Sequence, residues 1–382
     1  MKIIFLSNYI NHHQIGLCDE LFKLCGESNF YFIQEENIPE KRLKLGYKNN
    51  FCDRPYVVCL NGANRDAIRK MIMDSDIIIN TASQGLNFLK PAMKARKIVF
   101  WYSERLFKDY SLIKTIAKYF RAKYYFHGNP NQYHLLASSY GYDDMRLISK
   151  KWLEHSFEFG YFPITNSREV IKKNISSNKT INFLFAGRLI DWKHPEIVIN
   201  TANYLKKSSV DYHITVVGNG PLKDKLMSAI DKEGFKTHIS VLGSVPFAEM
   251  PKPYMNNDFL LFASDRREGW GAVLNEAMSF GCVPIANVEA GASRTLIKDE
   301  ENGFIYNKMN FDDVLEKAIK TKIDNSYYAI SELASRTIVE GWNYAVAAKK
   351  LYDLAMCIFE GKNIISNGNL GLLDFSFEES RK

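Results

Sequence analysis

The chain has 382 residues, of which 46% are apolar and 24% charged, a composition typical of a globular protein with two or three domains. No apolar run approaches the roughly eighteen residues of a membrane span, and the short apolar N-terminus favours a first strand over a signal peptide. The six cysteines form no C-x-x-C pair, which disfavours a zinc site or a disulfide framework.

The formal net charge of +7 lies entirely in the first half of the chain. Residues 1–165 carry 23 Lys and Arg against 16 Asp and Glu, whereas residues 166–382 carry 27 of each. The densest part is residues 90–123, with ten basic residues and two acidic ones. Such a patch suits anionic lipid, a phosphorylated substrate or nucleic acid, or it is simply a solvated surface.

Short apolar runs alternate with amphipathic stretches along the first half. They predict strands over 2–6, 30–33, 76–80, 97–102, 123–126 and 145–148, and helices over 13–25, 63–73, 109–121 and 131–140. Residues 35–59 are irregular, with room for one strand. The helix over 109–121 has Lys114, Lys118 and Arg121 on one face, so it lies on anionic lipid or packs on its own domain.

The alternation is clearer in the second half. It predicts strands over 180–186, 212–217, 238–242, 258–262 and 282–287, and helices beginning near Pro195, Pro221, Phe247, Gly271, Ser293 and Phe311. This order predicts an α/β fold of two Rossmann-like domains facing across a cleft. We place the domains at 1–162 and 163–361, with a last helix over 342–358 that can pack back on the first domain and a flexible tail over 362–382.

Two carboxylates, Glu268 and Glu276, stand with seven residues between them in E-G-W-G-A-V-L-N-E. An apolar strand precedes them and a helix begins near Gly271, so Glu268 lies in the loop and Glu276 in the helix. The N–H groups at a helix N-terminus suit phosphate, and carboxylates suit sugar hydroxyls. The segment predicts a ligand with sugar on both sides of a phosphate.

Two cations that could bind this phosphate, Arg188 and Lys193, lie in the segment that follows the first strand of the second half. Gly187 lets the chain turn close to a ligand, and Arg188 and Lys193 suit a departing diphosphate unless they are merely exposed cations. Gly218, after the next strand, either approaches a nucleotide or makes a tight turn. Residues 252–254 are candidates to stack on a base.

Together these motifs resemble the retaining glycosyltransferases of family 4, glycosyl transferases group 1, which have the GT-B architecture. The resemblance covers roughly residues 180–310 and rests on G-R-L-x-x-x-K, G-x-G-P and E-G-W-G-A-V-L-N-E-A-M-S-F-G-C. It implies a retaining, metal-independent hexosyltransferase that moves a sugar from a nucleotide-diphosphate sugar to an acceptor hydroxyl without a cofactor.

The resemblance also assigns residues to roles. It implies catalytic roles for Arg188, Lys193 and Glu268, with Glu268 facing the transferred sugar. It implies a donor site made of Gly187, Gly218, Gly271, Ala272, Val273, Leu274 and Glu276, in which Glu276 binds the ribose. Trp270 stands where the family usually has Phe or Tyr, and we expect it to pack beside the donor.

The first domain resembles the family only by architecture, and we expect it to bind the acceptor. His12 and His13 follow the first strand and are candidates to bind a phosphate or the acceptor, unless Asn11 there simply caps the next helix. Glu104 and His127 follow later strands and are further cleft candidates, although Glu104 and its neighbour Arg105 are equally consistent with an ion pair.

The expected partners are a nucleotide-sugar donor and a sugar or lipid-linked acceptor, and not nucleic acid. The setting would be a bacterial-type surface polysaccharide or glycolipid pathway in the cytoplasm, with the basic first domain in peripheral contact with the inner face of an anionic membrane. The alternatives are an epimerase or hydrolase of nucleotide sugars on the same fold, and a non-catalytic sugar-binding subunit. A dehydrogenase is disfavoured because no G-x-G-x-x-G follows the first strand.

Overall fold

The computed structural model describes residues 1–40, 51–81, 86–108, 111–126, 129–165, 170–171, 180–208, 210–366 and 372–378. The chain forms two compact units, one of Met1–Ile164 together with Asn343–Lys382 and one of Thr165–Trp342. It therefore passes between the units twice. It does so after Ile164 and again after Trp342.

The first unit is built on a parallel seven-stranded sheet in the order β3-β2-β1-β4-β5-β6-β7. The strands are β1 (Ile3–Ser7), β2 (Phe30–Gln34), β3 (Val57–Cys59), β4 (Ile77–Asn80), β5 (Ile98–Glu104), β6 (Gln132–Ala137) and β7 (Ser156–Phe159). The central strands are nearly continuous apolar runs because helices cover both faces of a parallel sheet. The strand order reverses between β1 and β4, where α/β sheets bind ligands.

Helices connect these strands. They are α1 (Ile15–Cys25), α2 (Arg65–Met73), α3 (Leu86–Lys94), α4 (Leu112–Phe126), α5 (Tyr140–Ile148) and α6 (Lys150–Leu153). None of the helices in the described ranges is both long and apolar enough to cross a bilayer.

Three sequence predictions in this unit are wrong. Residues 123–126 continue α4, residues 145–148 end α5, and residues 132–137 form a strand where a helix was expected. In α5 the buried residues Met145 and Ile148 are three apart, as on one helix face, while Leu147 between them is exposed. Short apolar runs do not separate strand from helix by periodicity, and here tertiary burial decides.

The second unit has a parallel six-stranded sheet in the order β10-β9-β8-β11-β12-β13. The strands are β8 (Ile181–Ala186), β9 (Tyr212–Val217), β10 (Ile239–Gly243), β11 (Phe259–Phe262), β12 (Val283–Asn287) and β13 (Phe304–Tyr306). The order reverses between β8 and β11, whose pairing joins Phe183 to Phe259 and Leu184 to Leu260. The carboxyl ends of β8 and β11 therefore flank the ligand crevice that this topology creates.

The helices of the second unit pack on both faces of its sheet. They are α7 (Ile197–Lys207), α8 (Lys223–Glu233), α9 (Pro251–Asn256), α10 (Val273–Ser279), α11 (Ser293–Leu296), α12 (Phe311–Ile323) and α13 (Tyr327–Arg336). The core includes the fully buried side chains of Phe183, Val198, Ile214 and Leu315. Two parallel-sheet α/β units are thus present, as the alternation of strands and helices predicts.

The end of the chain returns to the first unit. Helix α14 (Tyr344–Phe359) begins at Asn343, whose Oδ1 accepts two backbone N–H groups at 3.0 Å, and it packs on α1 at Gly16. Strands β14 (Asn363–Ser366) and β15 (Phe375–Glu378) then form an antiparallel hairpin within the segment expected to be a flexible tail. Between them, the N–H of Leu373 donates to the carbonyl of Glu158 on β7 at 2.9 Å.

Candidate active site

The loop after β8 is shaped by glycines in two neighbouring loops. A Cβ added to Gly218 would lie 1.8 Å from the carbonyl oxygen of Gly187, and one added to Gly220 would lie 2.4 Å from that of Leu189. The N–H of Gly187 also donates to the carbonyl of Val217 at 2.9 Å. The G-N-G turn is therefore packed tightly against the loop that carries Arg188, and this packing needs the missing side chains.

Lys193 and Glu268 meet across the switch point. Lys193 ends a 3-10 turn after β8, and its Nζ forms an ion pair with Oε2 of Glu268 in the loop after β11. The two side chains are only 14% and 17% exposed, and Ser264 Oγ donates to the same carboxylate at 3.3 Å. Arg188 is exposed, with its guanidinium 5.4 Å from the ring centroid of Trp192. Two predicted catalytic residues that are distant in sequence are thus in direct contact, and Arg188 lies on the same loop as Lys193.

The Glu268 loop is held from behind by the segment after β12. The N–H of Gly291 donates to the carbonyl of Glu268 at 3.1 Å, and that of Ala292 donates to the carbonyl of Trp270 at 3.0 Å. A Cβ at Gly291 would lie 1.9 Å from the carbonyl oxygen of Gly269, so the two backbones are in direct contact. Gly291 is therefore needed for this arrangement of the loop.

Helix α10 follows directly. Gly271 has a φ of 98°, a left-handed conformation that favours glycine, and a Cβ there would lie 2.3 Å from the ring of Phe262. Ala272 and Val273 begin the helix and are partly exposed. Leu274 is fully buried and its N–H donates to the carbonyl of Gly271 at 2.9 Å, so its side chain supports the turn from inside.

Trp270 does not lie where we expected. The side chain is fully buried, its Nε1 donates to Oδ1 of Asn275 at 2.8 Å, and its ring stacks on Trp342 with centroids 5.8 Å apart. The expectation that Trp270 packs beside the donor is therefore wrong, because the protein itself encloses the ring. A larger aromatic residue in this position fills the core behind the loop.

Glu276 is partly buried on the first turns of α10. Tyr254 on α9 donates a hydrogen bond to its Oε2 at 2.6 Å. Burial raises the pKa of Glu276 to about 7, although the hydrogen bond from Tyr254 and the charge of Lys193 both act to lower it. Tyr254 is itself only 2% exposed, so it orients the carboxylate and does not stack on a base.

A polar network missed by the sequence analysis joins the two catalytic loops. His194, which has a left-handed φ of 49°, approaches Asp265 with Nε2 at 3.2 Å and Glu196 with Nδ1 at 2.8 Å. Arg267 binds Asp265 through two nitrogens and also donates to Asp191 at 2.6 Å. The hydrogen bond to Glu196 raises the pKa of His194, burial acts against it, and the bond to Asp265 adds to the rise. The network fixes the residues on either side of the ion pair between Lys193 and Glu268.

We expect His194→Gly to lower the turnover of this site about tenfold, because Lys193 loses its neighbouring anchor while the left-handed backbone is kept. The pKa of His194 is higher in the folded protein than in the unfolded one. Its contribution to stability is therefore complete below the unfolded-state pKa and is lost as the pH rises through the folded-state pKa. The difference in melting temperature between wild type and variant should therefore narrow as the pH rises above about 6.5, the ordinary pKa of a histidine. A constant difference would contradict the ionised bridge. His194→Asn, which tolerates the same backbone but does not titrate, is the matched control.

In the first unit, two predicted candidates lie together at the end of β1. The rings of His12 and His13 have centroids 3.8 Å apart. Asn11 Oδ1 accepts the N–H of His13 at 2.9 Å, and α1 begins only at Ile15, so Asn11 fixes the turn and does not cap the helix. The fourth candidate in this unit, His127, lies outside the described residues.

Tyr161, which the sequence analysis missed, contacts both Glu104, the third candidate, and His13. Its ring stacks on His13 with centroids 6.0 Å apart, and its hydroxyl donates to Oε1 of Glu104 at 2.8 Å. The other oxygen of Glu104 accepts from Lys108 Nζ at 2.6 Å. The suggested pairing of Glu104 with Arg105 is wrong, since Arg105 lies 3.9 Å from a buried carboxylate of α5. The carboxyl ends of β1, β5 and β7 therefore share one polar cluster.

No cluster of three or more His, Cys, Asp and Glu side chains converges as a metal site within the part of the chain that the structure describes. Lys193 is the cation that contacts Glu268, and Arg188 lies on the same loop.

The second unit matches a known protein family. The model of the family described as glycosyl transferases group 1 matches residues 166–338. The chain is 22% identical over 211 residues to the UDP-N-acetylglucosamine–peptide N-acetylglucosaminyltransferase GtfA subunit of Streptococcus agalactiae, covering 51% of this chain and 41% of that protein.

A second relative is the N-acetylgalactosamine-N,N'-diacetylbacillosaminyl-diphospho-undecaprenol 4-alpha-N-acetylgalactosaminyltransferase of Campylobacter jejuni. It is 30% identical over 152 residues, which cover 36% of this chain and 40% of that enzyme. The chain thus spans less than half the length of these curated relatives.

Solved structures match over nearly the whole chain. HepE of Anabaena, in complex with UDP and glucose, superposes with a TM-score of 0.67 at 15% identity, covering 93% of this chain and 99% of HepE. The lipopolysaccharide outer core galactosyltransferase WaaB superposes with a TM-score of 0.66 at 17% identity, covering 93% of this chain and 99% of WaaB. Residues 166–338 thus match the glycosyl transferases group 1 family, and the chain as a whole has the two-domain α/β fold of these GT-B glycosyltransferase structures.

Proposed function

We propose that this protein is a retaining, metal-independent glycosyltransferase that moves a hexosyl group from a nucleotide-diphosphate sugar to an acceptor hydroxyl. The observation that carries the proposal is the meeting of Lys193 with Glu268 beyond the carboxyl ends of β8 and β11. That position is the ligand crevice of a doubly wound sheet, and it holds Lys193 against the Glu268 carboxylate, with Arg188 on the same loop.

Each residue has a role that suits its chemistry. Arg188 and Lys193 neutralise the diphosphate as it leaves, and the N–H groups of Gly271, Ala272 and Val273 bind its oxygens at the start of α10. The Glu268 carboxylate accepts hydrogen bonds from hydroxyl groups of the transferred sugar. In the absence of donor the Glu268 carboxylate neutralises the charge of Lys193. An arriving diphosphate therefore competes with Glu268 for a cation that is already in position.

The second glutamate binds the nucleoside. The Glu276 carboxylate accepts hydrogen bonds from the ribose hydroxyls. Tyr254 orients this carboxylate through its own hydrogen bond. The glycosyl–phosphate bond breaks as the acceptor oxygen bonds to the anomeric carbon on the same face, and the leaving phosphate takes the acceptor proton. The anomeric configuration is then retained without a protein nucleophile.

We further propose that the acceptor is a sugar or a lipid-linked saccharide of a surface polysaccharide or glycolipid pathway. The Campylobacter relative has a diphospho-undecaprenol acceptor in its name, which supports this acceptor class. The enzyme would then work in the cytoplasm at the inner face of a membrane. The first unit, with its cluster of His12, His13, Tyr161 and Glu104, supplies the acceptor side.

The direct test is transfer by the purified protein with UDP-, GDP- and ADP-sugars in the presence of EDTA. NMR of the product formed from an α-linked donor should show an α linkage. A β linkage would overturn retention, loss of activity in EDTA would overturn metal independence, and failure of every donor to bind would overturn the donor site itself.

Donor binding should strengthen with pH because the ribose needs an ionised Glu276. With a pKa of about 7 for this carboxyl, the Kd of the nucleotide sugar should fall about tenfold between about pH 6 and about pH 8. Calorimetric titration with the intact sugar nucleotide avoids phosphate ionisation in this range.

Two variants make this measurement specific. Glu276→Gln should bind more weakly and without the pH dependence. Tyr254→Phe should move the dependence to higher pH, since the hydrogen bond that lowers the pKa of Glu276 is lost. A Kd of wild type that is flat across this range would contradict the role of Glu276.

A further inference from the structure

Helix α4 of the first unit directs its large apolar side chains to solvent. Ile113 is 81% exposed, Tyr124 74%, Leu112 73%, Phe120 65% and Ile116 48%. We call these five residues the α4 apolar face. Isolated exposed apolar residues are ordinary, but a contiguous set of five on one helix marks an interaction surface.

The spacing places all five side chains on one side of the helix. Leu112, Ile116, Phe120 and Tyr124 follow one another at intervals of four residues, and Ile113 lies beside them. Ala122, which is 8% exposed, packs from the opposite side into the core of this unit. The helix is therefore amphipathic in the unusual sense that its more apolar side faces outward.

Charge on the same helix indicates what covers this face. Its sequence LIKTIAKYFRAKYYF has four Lys and Arg and no acidic residue. Lys114, Arg121 and Lys123 are exposed. On a helical projection Lys114 and Arg121 lie beyond one edge of the α4 apolar face, and Lys123 lies within it, where its long side chain can carry the charge outward. An apolar stripe bordered by cations suits a surface with an apolar interior and anionic groups at its edge.

We infer that the α4 apolar face binds an anionic phospholipid bilayer. Ile113, Phe120 and Tyr124 enter the boundary between headgroups and acyl chains, and Lys114, Arg121 and Lys123 contact lipid phosphates. A second copy of the chain fits this surface less well, because a symmetric contact would bring two positively charged helices together. The inference concerns a surface separate from the donor site and does not depend on the reaction.

The test is sedimentation of the full chain with vesicles, either of phosphatidylcholine alone or with about a quarter phosphatidylglycerol. We expect binding to the anionic vesicles that weakens as salt is raised. The variant Ile113→Ser/Phe120→Ser/Tyr124→Ser should bind at least about tenfold more weakly. Lys114→Gln/Arg121→Gln/Lys123→Gln should lose the preference for anionic vesicles.

The matched control replaces exposed apolar residues of the second unit, Met309→Ser/Ile323→Ser/Leu333→Ser, and should bind as wild type. Melting temperature and donor binding of each variant show that the fold and the donor site are kept, so failure of the proposed function gives a different result. Absence of vesicle binding by wild type would overturn the inference, as would unchanged binding of the apolar variant. A wild-type dimer that the apolar variant converts to monomer, without vesicle binding, would assign the face to self-association instead.

Discussion

Replacing Arg188 and Lys193 together by alanine is expected to lower the rate of sugar transfer by at least about a thousandfold. Both cations lie at the carboxyl end of β8, and Lys193 contacts Glu268, so both losses fall where the diphosphate charge develops. The melting temperature should fall, because Lys193→Ala leaves the Glu268 carboxylate, which is only 17% exposed, without its partner. Thermal unfolding then has to show that the variant is still folded at the assay temperature. Single-turnover rates with saturating donor separate this loss from weaker binding.

The control for the double variant is Lys207→Ala/Lys232→Ala, which removes two exposed cations of the same unit at the ends of α7 and α8. It lowers the net charge equally but leaves the switch point intact, so its transfer rate should match wild type. A double variant at Arg188 and Lys193 that keeps its fold and a near-normal rate would show that these cations do not assist the leaving group.

The second large effect is expected from Gly291→Ala, which adds only one methyl group. Its Cβ would lie 1.9 Å from the carbonyl oxygen of Gly269, so one backbone must move. We expect a loss of about 1–3 kcal/mol in the free energy of unfolding, typical of overpacking. Because the displaced loop carries Glu268, the transfer rate should also fall about a hundredfold. Thermal unfolding and the transfer rate of the same preparation measure both effects.

Gly341→Ala is the matched substitution, since a Cβ there meets nothing within 4 Å and its backbone does not require glycine. It should change neither stability nor rate by more than a small amount. Equal behaviour of the two variants would mean that the contact between the Gly291 and Gly269 segments does not hold the Glu268 loop.

The fold of the second unit could be predicted because its local sequence pattern distinguishes strands from helices. Short β-branched and aromatic strands alternate with helices there, and glycines mark the loops after β8, β9 and β11. Around residues 123–148 the aromatic run that ends α4 and the Leu-Leu-Ala of β6 fit either structure locally. Burial in the sheet decides between them, and burial is a property of the whole fold.

The candidate site was predictable in part for a similar reason. Arg188, Lys193, Glu268 and Glu276 belong to motifs whose spacing has a chemical meaning. The bridge between His194 and Asp265 joins residues 71 apart, and the contact of Tyr161 with Glu104 spans 57. No local pattern encodes these partners, so only the sheet order brings them together.

The return of the chain to the first unit has a consequence for the order of folding. Helix α14 packs on α1 near Gly16, and the whole of Thr165–Trp342 is synthesised between them. The second unit is one continuous segment and can close as soon as it has emerged from the ribosome. The first unit waits for helix α14, so its nascent form exposes the α1 surface until residues 344–359 have been synthesised. Long-range closure of this kind slows folding, and the covering of α1 is therefore the step at which a chaperone has most to protect.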